Sequence, residues 1–292
     1  MTQRALLLAA GALVVNALIW GLSWWPFREL HSLGLHPLWA TALIFVFSLA
    51  CITVWRPGGW AVFTKHPLLW LLAAGAGFTN VGFNWAVTVG DVVRVVLLFY
   101  LMPAWSVLLA WAVLGEKPTR MSLLRLLLAM TGVIIVLKSP DSPWPVPKDI
   151  ADWLALMGGF SFAVTNVLLR KLQYTPSEAR MIAMFGGGAL TASGTAWLGM
   201  TLSAVPAPLW SLSWIWLALG LGLAFLISNM ALQYGAARLA ASTTAIVMLT
   251  EILFASLSAV ALGAAELSSR TLLGGGLIVL AAALAALAPP SK

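Results

Sequence analysis

The sequence predicts an all-α polytopic membrane protein, with ten transmembrane helices arranged as two inverted five-helix repeats. Three observations carry that prediction. The 292 residues are 61% hydrophobic and 9% charged, whereas soluble domains run at roughly 45–50% apolar and about 25% charged. The apolar residues fall into runs long enough to cross a hydrocarbon core, which takes about 20 residues. The chain also matches itself about halfway along, with polar positions coinciding in order. This composition excludes a soluble enzyme and a disordered regulator. The net charge of +7 does not mark a nucleic-acid binder. The Lys and Arg sit between apolar runs, as topological signals do, and not in a stripe interleaved with stacking aromatics.

The ten runs are 5–25, 37–55, 67–88, 93–114, 121–138, 150–170, 179–200, 212–235, 240–262 and 269–288. The first follows Arg4 as a signal peptide would. It runs too long for an h-region and lacks a small-residue cleavage site, so it is read as a span. On it Asn16, Trp20, Ser23, Trp24 and Phe27 form one helical stripe, with Pro26 a hinge candidate at its end. The indoles either flank a ligand or sit in the interfacial belt. The second run holds the lone cysteine, Cys51, which leaves no internal disulfide or Cys-based metal site. On the third, Asn80 and Asn84 share a face. The fourth carries Pro103 between Tyr100 and Trp105; a mid-helix proline removes a backbone hydrogen bond and makes either a hinge or a static bend. The Pro-rich stretch 139–149 reads as an extended connector between 1–138 and 150–292.

In the second half, Phe162 and Asn166 lie four apart on the sixth run. Asn229 and Gln233, followed by Tyr234, do the same on the eighth. Such carboxamides either bind a zwitterion, since they both donate and accept, or glue helices together. The Gly triplets at 186–188 and 274–276 permit close helix packing. Glu251 is the one acid well inside a span. An intramembrane acid is a functional candidate, as a proton carrier, as the partner of a substrate amine, or as a structural donor when protonated. Asp91 and Arg94 at the third-to-fourth turn are expected to pair, with Arg94 also able to meet a substrate carboxylate. His31, His36 and His66 have no companions at metal or triad spacing.

The self-match has an offset of 149. It brings Asn80 onto Asn229, Asn84 onto Gln233 and Trp85 onto Tyr234, and at 138 it brings Gly21 onto Gly159 and Trp24 onto Phe162. Five spans per half is odd, so the second half runs opposite to the first. Charge agrees. With the N-terminus inside, eleven of the sixteen Lys and Arg fall on the cytoplasmic side, placing both termini there. Inverted repeats are the architecture of many secondary transporters, with the substrate site near the midplane. We find no phosphate-binding loop, nucleophile elbow, zinc pattern or haem motif, so neither an enzyme nor a cofactor is expected. No filter-like segment points to a channel.

The segments 101–137 ("LMPAWSVLLAWAVLGEKPTR…") and 249–280 ("LTEILFASLSAVALGAAELSS…") resemble the EamA-type signature of the drug/metabolite transporter superfamily. "IWGLSWWP" (19–26) resembles that family's first helix, and the Trp-rich N-terminal stretch looks most like the YddG-type aromatic amino acid exporters. The resemblance implies two inverted five-helix halves, with the first four helices of each around a central cavity. It implies export of organic solutes by alternating access without ATP across a bacterial inner membrane. Small-molecule substrates, with aromatic and apolar amino acids favoured, and lipid are then the expected partners, and a broad drug/metabolite exporter is the alternative. Where the second half of the family has a proline after Glu251, this chain has Ile252, which leaves a symmetric kink in the ninth helix open.

Overall fold

The computed structural model describes residues 3–90, 92–138, 147–208, 212–264 and 268–287. Most of the Pro-rich connector, Asp91 and Glu266 lie outside them. The described chain is helical throughout. In the first half the helices are α1 (Gln3–Leu22), α2 (Trp24–Ser32), α3 (Pro37–Trp55), α4 (Gly59–Lys65), α5 (Pro67–Val89), α6 (Val92–Phe99), α7 (Met102–Leu109) and α8 (Arg120–Leu137), with a π-helical turn Ala110–Leu114 after α7. In the second half they are α9 (Ile150–Lys171), α10 (Ser177–Thr201), α11 (Leu212–Ala236), α12 (Ala241–Met248), α13 (Glu251–Ala261) and α14 (Ser269–Ala286).

Local chemistry sets the helix ends. Pro37 and Pro67 open α3 and α5, at the position where a missing N–H costs nothing. Thr119 and Ser122 form a reciprocal capping box on α8. Asp149 and Ser268 cap α9 and α14 by accepting backbone N–H groups that the first turn leaves unpaired. Gly115, at φ 71°, ends the π-helical turn in the left-handed conformation that glycine adopts without strain.

Among the described residues, eight helical stretches are long and apolar enough to cross a membrane. Three of these are continuous through breaks: α1–α2, α6 to the π-turn, and α12–α13. The α5 and α10 helices are equally long, at 23 and 25 residues. They are diluted by glycines and polar groups, Asn80 and Asn84 in α5 and Arg180 in α10. Much of α10 is buried in protein, so it does not need the apolarity of a lipid-facing helix. The outer faces of other spans carry exposed leucine, valine and tryptophan, such as Leu8, Val15, Leu127 and Leu273, as suits a hydrocarbon solvent.

The three breaks have separate causes. At Ser23 the hydroxyl bonds back to the carbonyl of Trp20 at 2.7 Å, and Pro26 supplies no N–H to the turn before it. Between α6 and α7, Tyr100 and Leu101 form a turn and Pro103 lies just inside the new helix. Between α12 and α13 there is no proline. There the backbone tightens into three-residue hydrogen bonds at Leu249, Thr250 and Ile252, and the Thr250 hydroxyl bonds the carbonyl of Val247 at 2.8 Å. Such back-bonding bends helices, so Ile252 does not abolish the interruption.

The two halves are interleaved. The α5 helix packs between α9 and α10, α10 also packs on α3, α1 packs on α11 and α13, and α8 packs on α14. Glycines set the closest approaches. A Cβ on Gly132 would lie 2.6 Å from the carbonyl of Gly274, and one on Gly274 would lie 2.6 Å from that of Gly132. Gly187 of the first triplet faces the Ala73 backbone and Gly188 faces Phe45. A Cβ on Gly21 would clash with the Glu251 carbonyl and one on Gly159 with the Phe99 carbonyl, so each sits against the break of a span in the other half.

Two ion pairs fix the ends of α9. Arg94 on α6 grips Asp152 with N–H···O distances of 2.7, 2.7 and 2.9 Å. Asp152 is 1% exposed and also accepts the Lys148 N–H at 2.8 Å. The expected partner Asp91 lies outside the described residues, and the expectation of a solvated arginine open to substrate is corrected by this buried, forked pair. At the far end Arg170 meets Glu116 at 3.5 Å and the Ala237 carbonyl at 2.8 Å.

Candidate substrate cavity

A cavity of about 100 Å³ lies in the middle of the bundle. On this measure a water needs roughly 10–15 Å³, so the space holds several waters or one small organic group. Both halves line it. From α1 come Asn16 and Trp20, from α5 Asn80 and Asn84, from the α6–α7 break Tyr100, from α9 Phe162, from α11 Asn229, and from the start of α13 Glu251. Each was singled out from the sequence.

The two broken spans meet at this cavity. Tyr100 stands in the first break and Glu251 opens the helix after the second, and both line the same cavity. Breaking a span exposes backbone and side-chain polar groups where an intact helix would present only its apolar face. Glu251 is half-buried. Among the described lining residues there is no Lys, Arg or His.

The carboxamides are oriented by the protein. Asn16 donates its amide N–H groups to the Ser228 carbonyl at 2.9 Å and the Ser228 hydroxyl at 2.6 Å. Asn80 donates to the Ala76 carbonyl at 2.8 Å, and Asn84 to the Thr41 hydroxyl at 2.8 Å. Asn16 makes two donor contacts to the fold and Asn80 and Asn84 one each, and the Asn16 carbonyl oxygen is buried without a partner. The Thr165 hydroxyl on the cavity wall is also without a partner.

The apolar wall is aromatic. Trp20 stacks on Phe225 with centroids 4.4 Å apart, and Phe45 lies edge-on to Phe185 at 5.7 Å. On the opposite side Phe99 contacts Phe83 at 4.9 Å and Phe162 at 6.1 Å. Sequence reasoning missed Phe45, Phe83, Phe99, Phe185 and Phe225, because a phenylalanine inside an apolar run gives no polar signal. One signal was present: Phe225 lies one helical turn before Asn229, and Phe83 is adjacent to Asn84.

Several expected residues sit elsewhere. The break at Ser23 turns the helix, so Trp24 leaves the Asn16–Trp20 stripe and donates its indole N–H to Ser258 at 2.9 Å. Trp105 faces Phe160, which is exposed on the outer surface. Asn166 is buried in the core, 0% exposed, with neither amide atom hydrogen-bonded; its neighbour Thr165 takes the place on the cavity wall. Gln233 bonds Asn229 at 2.7 Å from outside the cavity, and Tyr234 lies under Arg238. Pro103 and Pro26 shape breaks and line nothing. His36 accepts the Leu38 N–H at the start of α3, outside the spans. Burial and, secondarily, the nearby His31 hold its pKa below the usual 6.5.

Residues 7–138 match the EamA-like transporter family. The family is one of transporters, which suits an apolar, helical chain with a central cavity. A crystal structure of another protein aligns with 95% of this chain and 96% of its own, at a TM-score of 0.78 and 20% identity. At that identity the likeness is one of fold alone. None of the curated proteins matches this sequence.

Proposed function

We propose that this protein is a secondary transporter that exports small amine-bearing molecules with aromatic or apolar bodies, aromatic and apolar amino acids favoured, across the inner membrane by alternating access. The observation that carries this reading is that Tyr100 and Glu251 line one aromatic cavity formed by both halves. A substrate ammonium meets Glu251 and the amide oxygens, and its body lies on the rings.

The architecture behind the reading is ten spans in two inverted repeats, 1–138 and 150–292, joined by the connector 139–149. Its support is the packing. Exchanging each helix with its counterpart turns α1 on α11 into α9 on α5, and α3 on α11 into α10 on α5, while α8 on α14 and α3 on α10 exchange into themselves. These contacts survive the exchange. Gly21 and Gly159, paired by the self-match, abut the α13 and α6 ends of the two breaks. Hinges at Pro103 and beside Pro26, and Glu251 as the coupling group, belong to the same reading, as do the cytoplasmic termini given by the charge bias.

A second reading, a broad exporter of organic amines and drug-like cations, has its own observation. Among the described lining residues none is cationic, which leaves the carboxylate of a zwitterion without a counter-charge. Counterflow in proteoliposomes separates the two. Labelled Trp or Phe exchanging saturably, and competed by unlabelled Trp better than by tryptamine, supports the amino acid substrate. Exchange of tryptamine without Trp or Phe supports the broader one. No exchange of any of these by monodisperse protein overturns both.

A further inference from the structure

A second space of about 600 Å³ opens at one end of the bundle, where the C-terminal ends of α3 and α11 meet the start of α10. Its wall carries three arginines, Arg56, Arg180 and Arg238, and one acid, Glu178. It meets the central cavity across the Gln233–Asn229 hydrogen bond, since Gln233 lines this vestibule and Asn229 lines the cavity.

Positive charge at a helix end is ordinary topology, but Arg180 is not an ordinary surface arginine. It is 5% exposed. One of its N–H groups reaches the Leu172 carbonyl at 3.3 Å, and its Nε has no partner. Among the described residues no carboxylate lies within ion-pair distance of it; Glu178 acts on it from farther off, and Arg238 is close enough to repel it. A buried guanidinium without a counter-charge is expensive. The other two arginines are held face-down on rings, Arg238 at 3.8 Å over Tyr234 and Arg56 at 5.0 Å over Trp55. Arg238 also donates one N–H to the Tyr234 carbonyl at 3.0 Å; stacking occupies the guanidinium face and leaves the remaining N–H groups at its edge able to meet an oxyanion.

We infer that this vestibule is an anion-binding site that takes a compact carboxylate or phosphate group on Arg180 and Arg238, apart from the cavity that holds the amine. The group comes from a free solute or from an anionic lipid headgroup, and two probes tell these sources apart. The full chain, purified in detergent and stripped of lipid, is titrated calorimetrically with inorganic phosphate and, separately, with short-chain phosphatidylglycerol. Saturable binding of about one anion per chain is expected, weakened about tenfold or more in Arg180→Gln, as the loss of a charge-assisted contact implies. Arg238→Gln, on a residue only partly buried, weakens it as well and guards against misfolding of the buried variant. Glu251→Gln leaves it unchanged. Phosphate binding assigns a free solute, and binding of the lipid alone assigns a headgroup. Saturable binding of neither probe, or equal binding by Arg238→Gln and the unaltered protein, overturns the site.

Discussion

Replacing Arg94 by Gln tests how firmly the two halves are joined. The guanidinium makes three N–H···O contacts of 2.7–2.9 Å to Asp152. Asp152 would be left almost fully buried, with only backbone N–H groups to meet its charge. Breaking a buried pair from one side costs about 3–5 kcal/mol. The Arg94 side chain is 18% exposed, so water reaches the vacated site and about 2–3 kcal/mol is the better figure. At about 2–4 °C per kcal/mol for large domains, the Tm in detergent should fall by about 5–10 °C. A double-mutant cycle with Asp152→Asn should return a coupling of about 1.5 kcal/mol or more, because the two groups share their contacts. A drop under about 2 °C for Arg94→Gln, or additive single variants, would refute the reasoning that this pair is a main tie between α6 and α9.

Four further outcomes follow from the same geometry. Gly159→Ala puts a methyl 2.4 Å from the Phe99 carbonyl; overpacking of this kind costs about 1–3 kcal/mol and should lower Tm and transport together, whereas Gly11→Ala, which meets nothing within 4 Å, should change neither. Trp20→Ala should raise the substrate concentration for half-maximal counterflow, while Trp24→Phe, which loses only the bond to Ser258, should cost about 1 kcal/mol of stability and spare affinity; equal transport defects in the two would count against the cavity. Glu251→Gln should keep counterflow and lose gradient-driven accumulation if Glu251 couples transport, and equal loss of both from well-folded protein rejects the coupling role. His36 binds a proton less readily folded than unfolded, because burial and His31 disfavour its cation. Stability is therefore full above the unfolded pKa of 6.5 and declines as pH falls below it; His36→Asn, a cap that does not titrate, should flatten that slope in Tm measurements, and an unchanged slope would remove His36 from the account.

Much of this molecule was written in local terms. Membrane class, helical content and the spans follow from composition and run length, because a bilayer leaves the backbone only helices or closed barrels. The polar positions worth watching were legible for the same reason: an amide or acid in an apolar run is costly and stands out. Asn16, Asn80, Asn84, Asn229 and Glu251 do face one cavity. Tertiary structure decided what periodicity could not. The break at Ser23 re-aimed Trp24, Thr250 interrupted the stretch from α12 to α13 without a proline, and Arg94 found Asp152, 58 residues away. The aromatic wall was invisible for the converse reason. In a chain this apolar, a phenylalanine facing a ligand and one facing lipid read alike, and only the packing of one half against the other separates them.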